Sequence, residues 1–114
     1  MIALLTANGI AAAASIAFSV VGGVRPAALS NSGTPSGGER FYGWMYAVRG
    51  VPLGVAAGLV PLSWPSPACA LVLFAAAASQ AGDASIGVAT RKWTMIAGAS
   101  VLTAVHAATA VATL

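Results

Sequence analysis

The sequence predicts an all-α integral membrane protein, a single four-helix bundle whose helices run antiparallel through short connections. Of its 114 residues, 59% are hydrophobic and only 6% are charged, and the mean hydropathy is +0.90. Soluble domains carry about 25% charged residues, and intrinsic disorder requires low hydrophobicity, so both classes are excluded. Four apolar stretches also reach the roughly 20 residues that a helix needs to cross a bilayer.

The predicted spans form one domain, residues 1–114, and cover about 1–24, 41–60, 68–89 and 93–114. The first is interrupted by Asn8, the second contains Arg49, the third Asp83 and the fourth His106. A transmembrane β-barrel is a poor alternative, because no segment alternates in polarity. The single cysteine, Cys69, excludes an internal disulfide and a cysteine-based metal cluster.

Three connections set the expected orientation. Residues 25–40 are rich in Ser, Gly and Pro and are expected to form a flexible loop, residues 61–67 a proline-stiffened turn, and residues 90–92 a minimal turn. The first and third connections hold the basic residues Arg25, Arg40, Arg91 and Lys92. By the positive-inside rule, loops 25–40 and 90–92 face the cytoplasm of a bacterial cell, and both termini lie outside the cytoplasmic membrane.

A glycine series in the second span indicates close helix packing. Gly50, Gly54 and Gly58 recur every four residues, so they share one face and let another backbone approach. This face can pack inside the bundle, or it can form a homodimer contact. Both interpretations remain open at this stage.

Ionisable groups at membrane depth are the strongest functional signal. At a rise of 1.5 Å per residue, Arg49 and Asp83 each lie about 12 Å from the cytoplasmic border, and His106 lies one to two turns further outward. An isolated Arg or Asp at this depth costs roughly 2.5 to 3.5 kcal/mol. We therefore expect Arg49 and Asp83 to pair, either as a clasp that fixes helix register or as part of a polar pocket.

Polar residues share faces on three of the predicted helices, and these faces can converge on one interior space. The candidate catalytic residues are Asp83, Arg49, His106 and Tyr46. The candidate substrate-binding residues are Tyr42, Gln80, Ser79 and Thr103. We predict no metal site, because one His and one carboxylate fall short of the usual three or four ligands, and we predict no cofactor and no nucleic-acid partner.

Three sequence patterns resemble a family of small four-span membrane proteins, the domain-of-unknown-function 4267 family. They are Arg49 to Gly54 (RGVPLG), Gly82 to Gly87 (GDASIG) and His106 to Ala110 (HAATA), so the resemblance covers roughly residues 41–114. The family tends to have Asp after the arginine, where this chain has Gly50. Similar fungal proteins accompany polyketide pathways and are assigned epoxide-opening roles, and the resemblance implies a similar chemistry here.

Three functions follow as expectations. The first is an intramembrane enzyme that performs acid–base chemistry on a lipophilic small molecule, such as epoxide opening by hydrolysis or cyclisation in natural-product biosynthesis. The second is a dimeric proton-coupled transporter, since four spans and one membrane carboxylate are typical of small exporters. The third is a structural membrane subunit in which Arg49 and Asp83 hold helices together. Membrane lipid is an expected partner in every case.

Overall fold

The computed structural model describes residues 1–30 and 32–114. Within those residues it contains the helices α1 (Ile2–Val24), α2 (Ala27–Ser30), α3 (Gly37–Ser63), α4 (Pro67–Ala89) and α5 (Trp93–Ala112), and no strand. In this described part, four helices are long and apolar enough to cross a membrane. The longest dimension, 44 Å, matches a bilayer with its headgroups. The predicted all-α four-helix membrane bundle is confirmed, and the chain is a multi-pass membrane protein.

The outer surface of the bundle is apolar. Ile10, Val48, Leu59 and Leu71 are large side chains that are all exposed on the outside of the bundle. Such a continuous apolar surface is unstable in water and stable against acyl chains, because no polar atoms need to be desolvated there.

The first connection differs from the prediction. Residues 25–40 are not all loop, because α2 lies within them and α3 begins at Gly37. The start of α3 is a capping box: the Ser36 hydroxyl accepts a hydrogen bond from the Glu39 backbone N–H at 3.1 Å, and the Glu39 carboxylate accepts one from the Ser36 backbone N–H. This reciprocal pair satisfies two otherwise unpaired donors and fixes the helix start. Asn31, inside the same predicted loop, lies outside the described residues.

The second connection is also shorter than predicted. α3 continues through Pro61 to Ser63, so only residues 64–66 separate it from α4. A proline inside a helix leaves the carbonyl four residues earlier without its usual N–H donor. For Pro61 that carbonyl belongs to Ala57, and it accepts a hydrogen bond from the Asn8 side chain of α1 at 2.8 Å. A second helix thus supplies the donor that Pro61 removes.

The third connection is a tight turn, as predicted. The Arg91 N–H donates to the Val88 carbonyl at 3.2 Å, and the Lys92 N–H donates to the Gly87 carbonyl at 2.9 Å. These are the two bonds of a Schellman motif, which ends a helix by placing one residue in the left-handed region. That residue is Arg91, with φ of 56°.

The long helices pack as two pairs. α1 packs along α3, and we call these two helices the first pair; α4 packs along α5, and these two are the second pair. Contacts between the pairs are fewer. The two pairs are therefore tightly built units with a looser boundary between them.

Small residues bring α1 and α3 together. A Cβ atom added at Gly54 would lie 2.6 Å from Cγ1 of Ile16, and one added at Gly58 would lie 3.2 Å from Cβ of Ala12. A Cβ at Gly50 would collide with the Ser19 hydroxyl. The glycine face thus packs inside the bundle, which is one of the two predicted roles. The homodimer through Gly50, Gly54 and Gly58 stays a prediction, although α1 already occupies this face.

The apolar core fills one end of the bundle. It consists of six fully buried residues: Ala57, Cys69, Ala70, Leu73, Ala76 and Ala110. These residues lie on the last part of α3, the first part of α4 and the last part of α5, close to the connection at residues 64–66. A cavity lies toward the other end, near the turn at residues 90–92.

Candidate functional site

Polar side chains bridge the boundary between the two helix pairs. In the described residues, three side-chain hydrogen bonds cross it, and each joins one helix of the first pair to one of the second. They link Asn8 to His106, Ser15 to Gln80, and Tyr46 to Asp83. A polar boundary in an otherwise apolar protein is expensive to bury unless every group is paired, so these residues define the candidate site.

The Asn8–His106 bridge is fully buried. Each side chain is 1% exposed, and Nδ1 of His106 lies 2.8 Å from Oδ1 of Asn8. Because the Asn8 amide nitrogen already donates to the Ala57 carbonyl, its oxygen must act as acceptor, and His106 Nδ1 must carry the proton. In the neutral imidazole, Nε2 is then the acceptor nitrogen. The bridge thus selects one histidine tautomer.

The Tyr46–Asp83 bridge lies nearer the basic end. The Tyr46 hydroxyl donates to Oδ2 of Asp83 at 3.3 Å, and both side chains are half-buried. One turn along α4, the Gln80 side-chain amide donates to the Ser15 hydroxyl at 3.1 Å. A carboxylate and a phenol in direct contact can exchange a proton, which gives this point of the boundary acid–base capacity.

Arg49 and Asp83 do not form the predicted direct ion pair. The Arg49 side chain is exposed, and its Nε donates back to the Met45 carbonyl at 3.2 Å on its own helix. Tyr46, one turn earlier on α3, takes the position beside Asp83. The Arg49 side chain therefore lies on the outside of the bundle and makes no direct contact with Asp83, while its catalytic role stays a prediction.

A cavity of about 410 Å³ opens beside Asp83, and we call it the large cavity. It falls within the 300–1,000 Å³ range of small-molecule sites. Its walls combine apolar side chains with polar groups at both ends. It is lined by Phe18, Val21, Ala28, Leu29, Tyr46, Gln80, Asp83, Thr90, Arg91, Lys92, Thr94, Met95, Gly98, Ala99 and Leu102.

A second cavity, the small cavity, has a volume of about 20 Å³. This is enough for one water molecule, and its walls carry the several polar partners that a buried water needs. Its polar lining residues are Ser15, Ser19, Tyr46, Ser79, Gln80, Asp83 and His106. Tyr46, Gln80 and Asp83 line both cavities, so these three side chains form the partition between them.

The structure thus brings together five of the eight predicted site residues. Asp83, Tyr46, Gln80, Ser79 and His106 all line at least one of the two cavities.

The other three predicted site residues lie elsewhere, which corrects the prediction. Besides Arg49, Tyr42 is 69% exposed and packs edge-on against Phe41, with ring centroids 5.7 Å apart. Thr103 donates to the Ala99 carbonyl at 2.8 Å on its own helix and lines neither cavity. Threonine commonly satisfies its hydroxyl in this way inside membrane helices.

Sequence reasoning missed the contribution of α1. Asn8, Ser15 and Ser19 are all buried and face the boundary, yet none was a candidate site residue. A readable signal was present, because positions 8, 15 and 19 are spaced by seven and four residues and so share one helix face. These three residues form a polar face on an otherwise apolar span, and this pattern would have indicated that they face the protein interior.

The described residues do not contain a cluster of metal ligands. Among the described residues, no three His, Cys, Asp or Glu side chains come close enough to hold a metal ion. What the arrangement offers instead is a carboxylate, a phenol and an imidazole on the walls of two adjoining cavities.

No family model, curated protein or solved structure matches the chain. The resemblance to the domain-of-unknown-function 4267 family therefore stays a prediction. The fold and site define the class only: a small multi-pass helical membrane protein with a half-buried carboxylate–phenol pair on the wall of a partly open cavity.

Proposed function

We propose that this protein is a small intramembrane enzyme that performs acid–base chemistry on a lipophilic small molecule bound in the large cavity. The observation that carries the proposal is the hydrogen bond of 3.3 Å between Tyr46 and Asp83 on the cavity wall. A carboxylate is a base, a phenol is an acid, and catalysis by such positioned groups contributes typically a hundredfold to ten-thousandfold.

Epoxide opening is a reaction that this pair can perform. Asp83 accepts a proton from a water molecule while the water oxygen bonds to one ring carbon. The ring C–O bond breaks, and Tyr46 donates its proton to the departing oxygen, which completes a diol. The proton then passes from the Asp83 carboxyl to the Tyr46 phenolate along their hydrogen bond, restoring both groups. If a substrate hydroxyl replaces water, the same steps give cyclisation.

The surrounding residues have positioning roles in this proposal. Gln80 donates a hydrogen bond to Ser15 and lies three residues from Asp83, so the two side chains share one face of α4. The small cavity, behind the partition, has room for a water beside Asp83. His106 lines that cavity while Asn8 holds its tautomer, and it is the second group that can move a proton there.

The location proposed for the protein is the bacterial cytoplasmic membrane, with loops 25–40 and 90–92 in the cytoplasm and both termini outside. It rests on the placement of Arg25, Arg40, Arg91 and Lys92 at one end of the bundle. In this orientation the large cavity opens toward the cytoplasmic border, and Asp83 lies about 12 Å deeper than Arg91.

A turnover assay tests the enzyme. Purified protein in lipid nanodiscs is given long-chain terminal epoxides, and isotope-labelled water reports oxygen incorporation into the diol. We expect Asp83→Asn to lower turnover about a hundredfold or more and Tyr46→Phe to lower it at least tenfold. The exposed residue Tyr42 gives a matched control: Tyr42→Phe should leave turnover within twofold. Equal turnover in Asp83→Asn and wild type would refute the proposal.

Proton-coupled transport is the second candidate, and one observation favours it. The two helix pairs make few contacts with each other and are joined across their boundary by three polar bridges. Rigid units that rock about a polar boundary are the usual basis of alternating access. Asp83-dependent proton flux into vesicles that carry a pH-sensitive dye would favour this function, and its absence together with turnover would favour the enzyme.

A further inference from the structure

The large cavity has two chemically opposite ends. At one end lie Asp83 and Tyr46, and at the other lie Arg91 and Lys92, all four of them lining residues. The two ends are eight residues apart on α4 and its turn, about 12 Å along the helix axis. The cavity also has apolar lining residues, among them Phe18 of α1 and Leu102 of α5.

Basic residues at this end of the bundle have an ordinary explanation in membrane orientation, but that explanation does not require them to line a cavity. Arg25 and Arg40 serve the same rule, and neither lines the large cavity. Arg40 instead donates to the Pro35 carbonyl at 2.7 Å. The difference between the two sets of cations therefore calls for a separate reason.

The backbone conformation of Arg91 also supports a functional role at the cavity. Its φ of 56° lies in the left-handed region, which glycine enters freely and which other residues enter at a cost. Glycine is the usual residue at this position of a Schellman motif. Arg91 has this conformation and lines the cavity, and strain of this kind is concentrated at functional positions.

We infer that the large cavity binds an amphiphile with an anionic head, a carboxylate or a phosphate ester, at Arg91 and Lys92. Its apolar chain lies along Phe18 and Leu102, and a neutral polar group about 12 Å from the head reaches Asp83 and Tyr46. The inference deepens the proposed function, on which it rests, by naming the substrate class. The head can belong to a free amphiphile or to a phospholipid, since both offer the same charge.

Binding of matched probes tests the anionic end. Native mass spectrometry in neutral detergent compares the bound fractions of dodecanoate, dodecanol and dodecyltrimethylammonium. We expect wild-type protein to prefer dodecanoate over dodecanol about tenfold, and to bind the ammonium probe least. The double variant Arg91→Gly with Lys92→Gln keeps the turn, because glycine suits that backbone, and should lose the preference. The control Arg25→Gln with Arg40→Gln removes the same charge from the same end and should retain it.

The deep end is tested with ω-hydroxydodecanoate. Its terminal hydroxyl should improve binding about fivefold over dodecanoate in wild-type protein, and Asp83→Ala should abolish that gain. Competition by phosphatidylglycerol but not by phosphatidylcholine would assign the head to a membrane lipid, while no competition would assign it to a free amphiphile; both agree with the inference. Equal binding of all three dodecyl probes, or a preference that survives the double variant, would overturn it.

These outcomes are separable from those of the proposed function. Probe binding does not require turnover, so an inactive protein that prefers dodecanoate would refute the enzyme and keep the inference. Turnover of an epoxide with a terminal carboxylate at an undiminished rate in the double variant would keep the enzyme and refute the inference.

Discussion

Replacing Asn8 by alanine removes two buried hydrogen bonds at once. The Asn8 amide nitrogen donates to the Ala57 carbonyl at 2.8 Å, and its oxygen accepts from His106 at 2.8 Å. The Ala57 carbonyl has no other expected donor, because Pro61 lacks the N–H that would normally reach it. The substitution therefore leaves both a carbonyl and an imidazole N–H without a partner in the boundary.

The expected loss of stability in Asn8→Ala can be estimated from hydrogen-bond energies in soluble proteins or in membrane proteins. In water-soluble proteins each unsatisfied buried group costs about 1–3 kcal/mol, which gives about 4 kcal/mol for two. Hydrogen bonds measured between membrane helices average about 0.6 kcal/mol with a maximum near 1.7, because the unfolded state in the membrane finds other partners. The second scale applies here, and full burial places both bonds near its upper limit. We expect Asn8→Ala to destabilise the protein by about 3 kcal/mol.

Titration with sodium dodecyl sulfate in mixed micelles, followed by circular dichroism, measures this change. A double-mutant cycle with His106→Ala isolates the side-chain bond, for which we expect a coupling of about 1.5 kcal/mol. Ser85→Ala is the control, since the exposed Ser85 hydroxyl donates only to its own helix, at 2.8 Å to the Ala81 carbonyl. Additive effects of Asn8→Ala and His106→Ala would refute the bridge.

Two further predictions concern packing and helix ends. Gly50→Ala should destabilise the protein by about 1–3 kcal/mol in the same titration, because the added Cβ would collide with Ser19. The control Gly82→Ala should be neutral or stabilise the protein by up to about 1 kcal/mol, because a Cβ there has nothing within 4 Å. Equal effects of the two substitutions would contradict the α1–α3 packing. Ser36→Ala should lower the free energy of unfolding by about 1 kcal/mol and speed hydrogen exchange in the first turn of α3, while Ser36→Asp should preserve the cap. Unchanged exchange in Ser36→Ala would contradict the capping box.

The helices were predictable from composition because membrane spans depend only on local length and apolarity. Their ends were partly predictable. The Ser36-x-x-Glu39 spacing is typical of a capping box and could have predicted the start of α3, but the Ser, Gly and Pro residues around it favoured a loop. The continuation of α3 through Pro61 was not readable, because it depends on a donor from Asn8, which lies 49 residues away in sequence.

The sequence predicted how deep the site residues lie in the membrane, but not how each helix is rotated about its axis. Arg49 and Asp83 were placed level from helix rise alone, and that arithmetic does not say which way a side chain faces. Gly50 packs against Ser19 and so fixes the rotation of α3. Around the helix Tyr46 lies about 40° from Gly50 and Arg49 about 100°. The glycine contact therefore turns Tyr46 toward the boundary and leaves Arg49 outside.

The central claim is that the boundary between the helix pairs encloses a wet polar chamber at membrane depth. Cys69 is the only cysteine, so Cys69→Ala gives a background free of thiols. Gln80→Cys places one thiol on the cavity wall, and Ala81→Cys places one at the same depth on the exposed face of α4. With both proteins in nanodiscs, a membrane-impermeant charged thiosulfonate should label the Gln80→Cys variant at least tenfold faster than the Ala81→Cys variant. Equal or reversed rates would contradict the chamber.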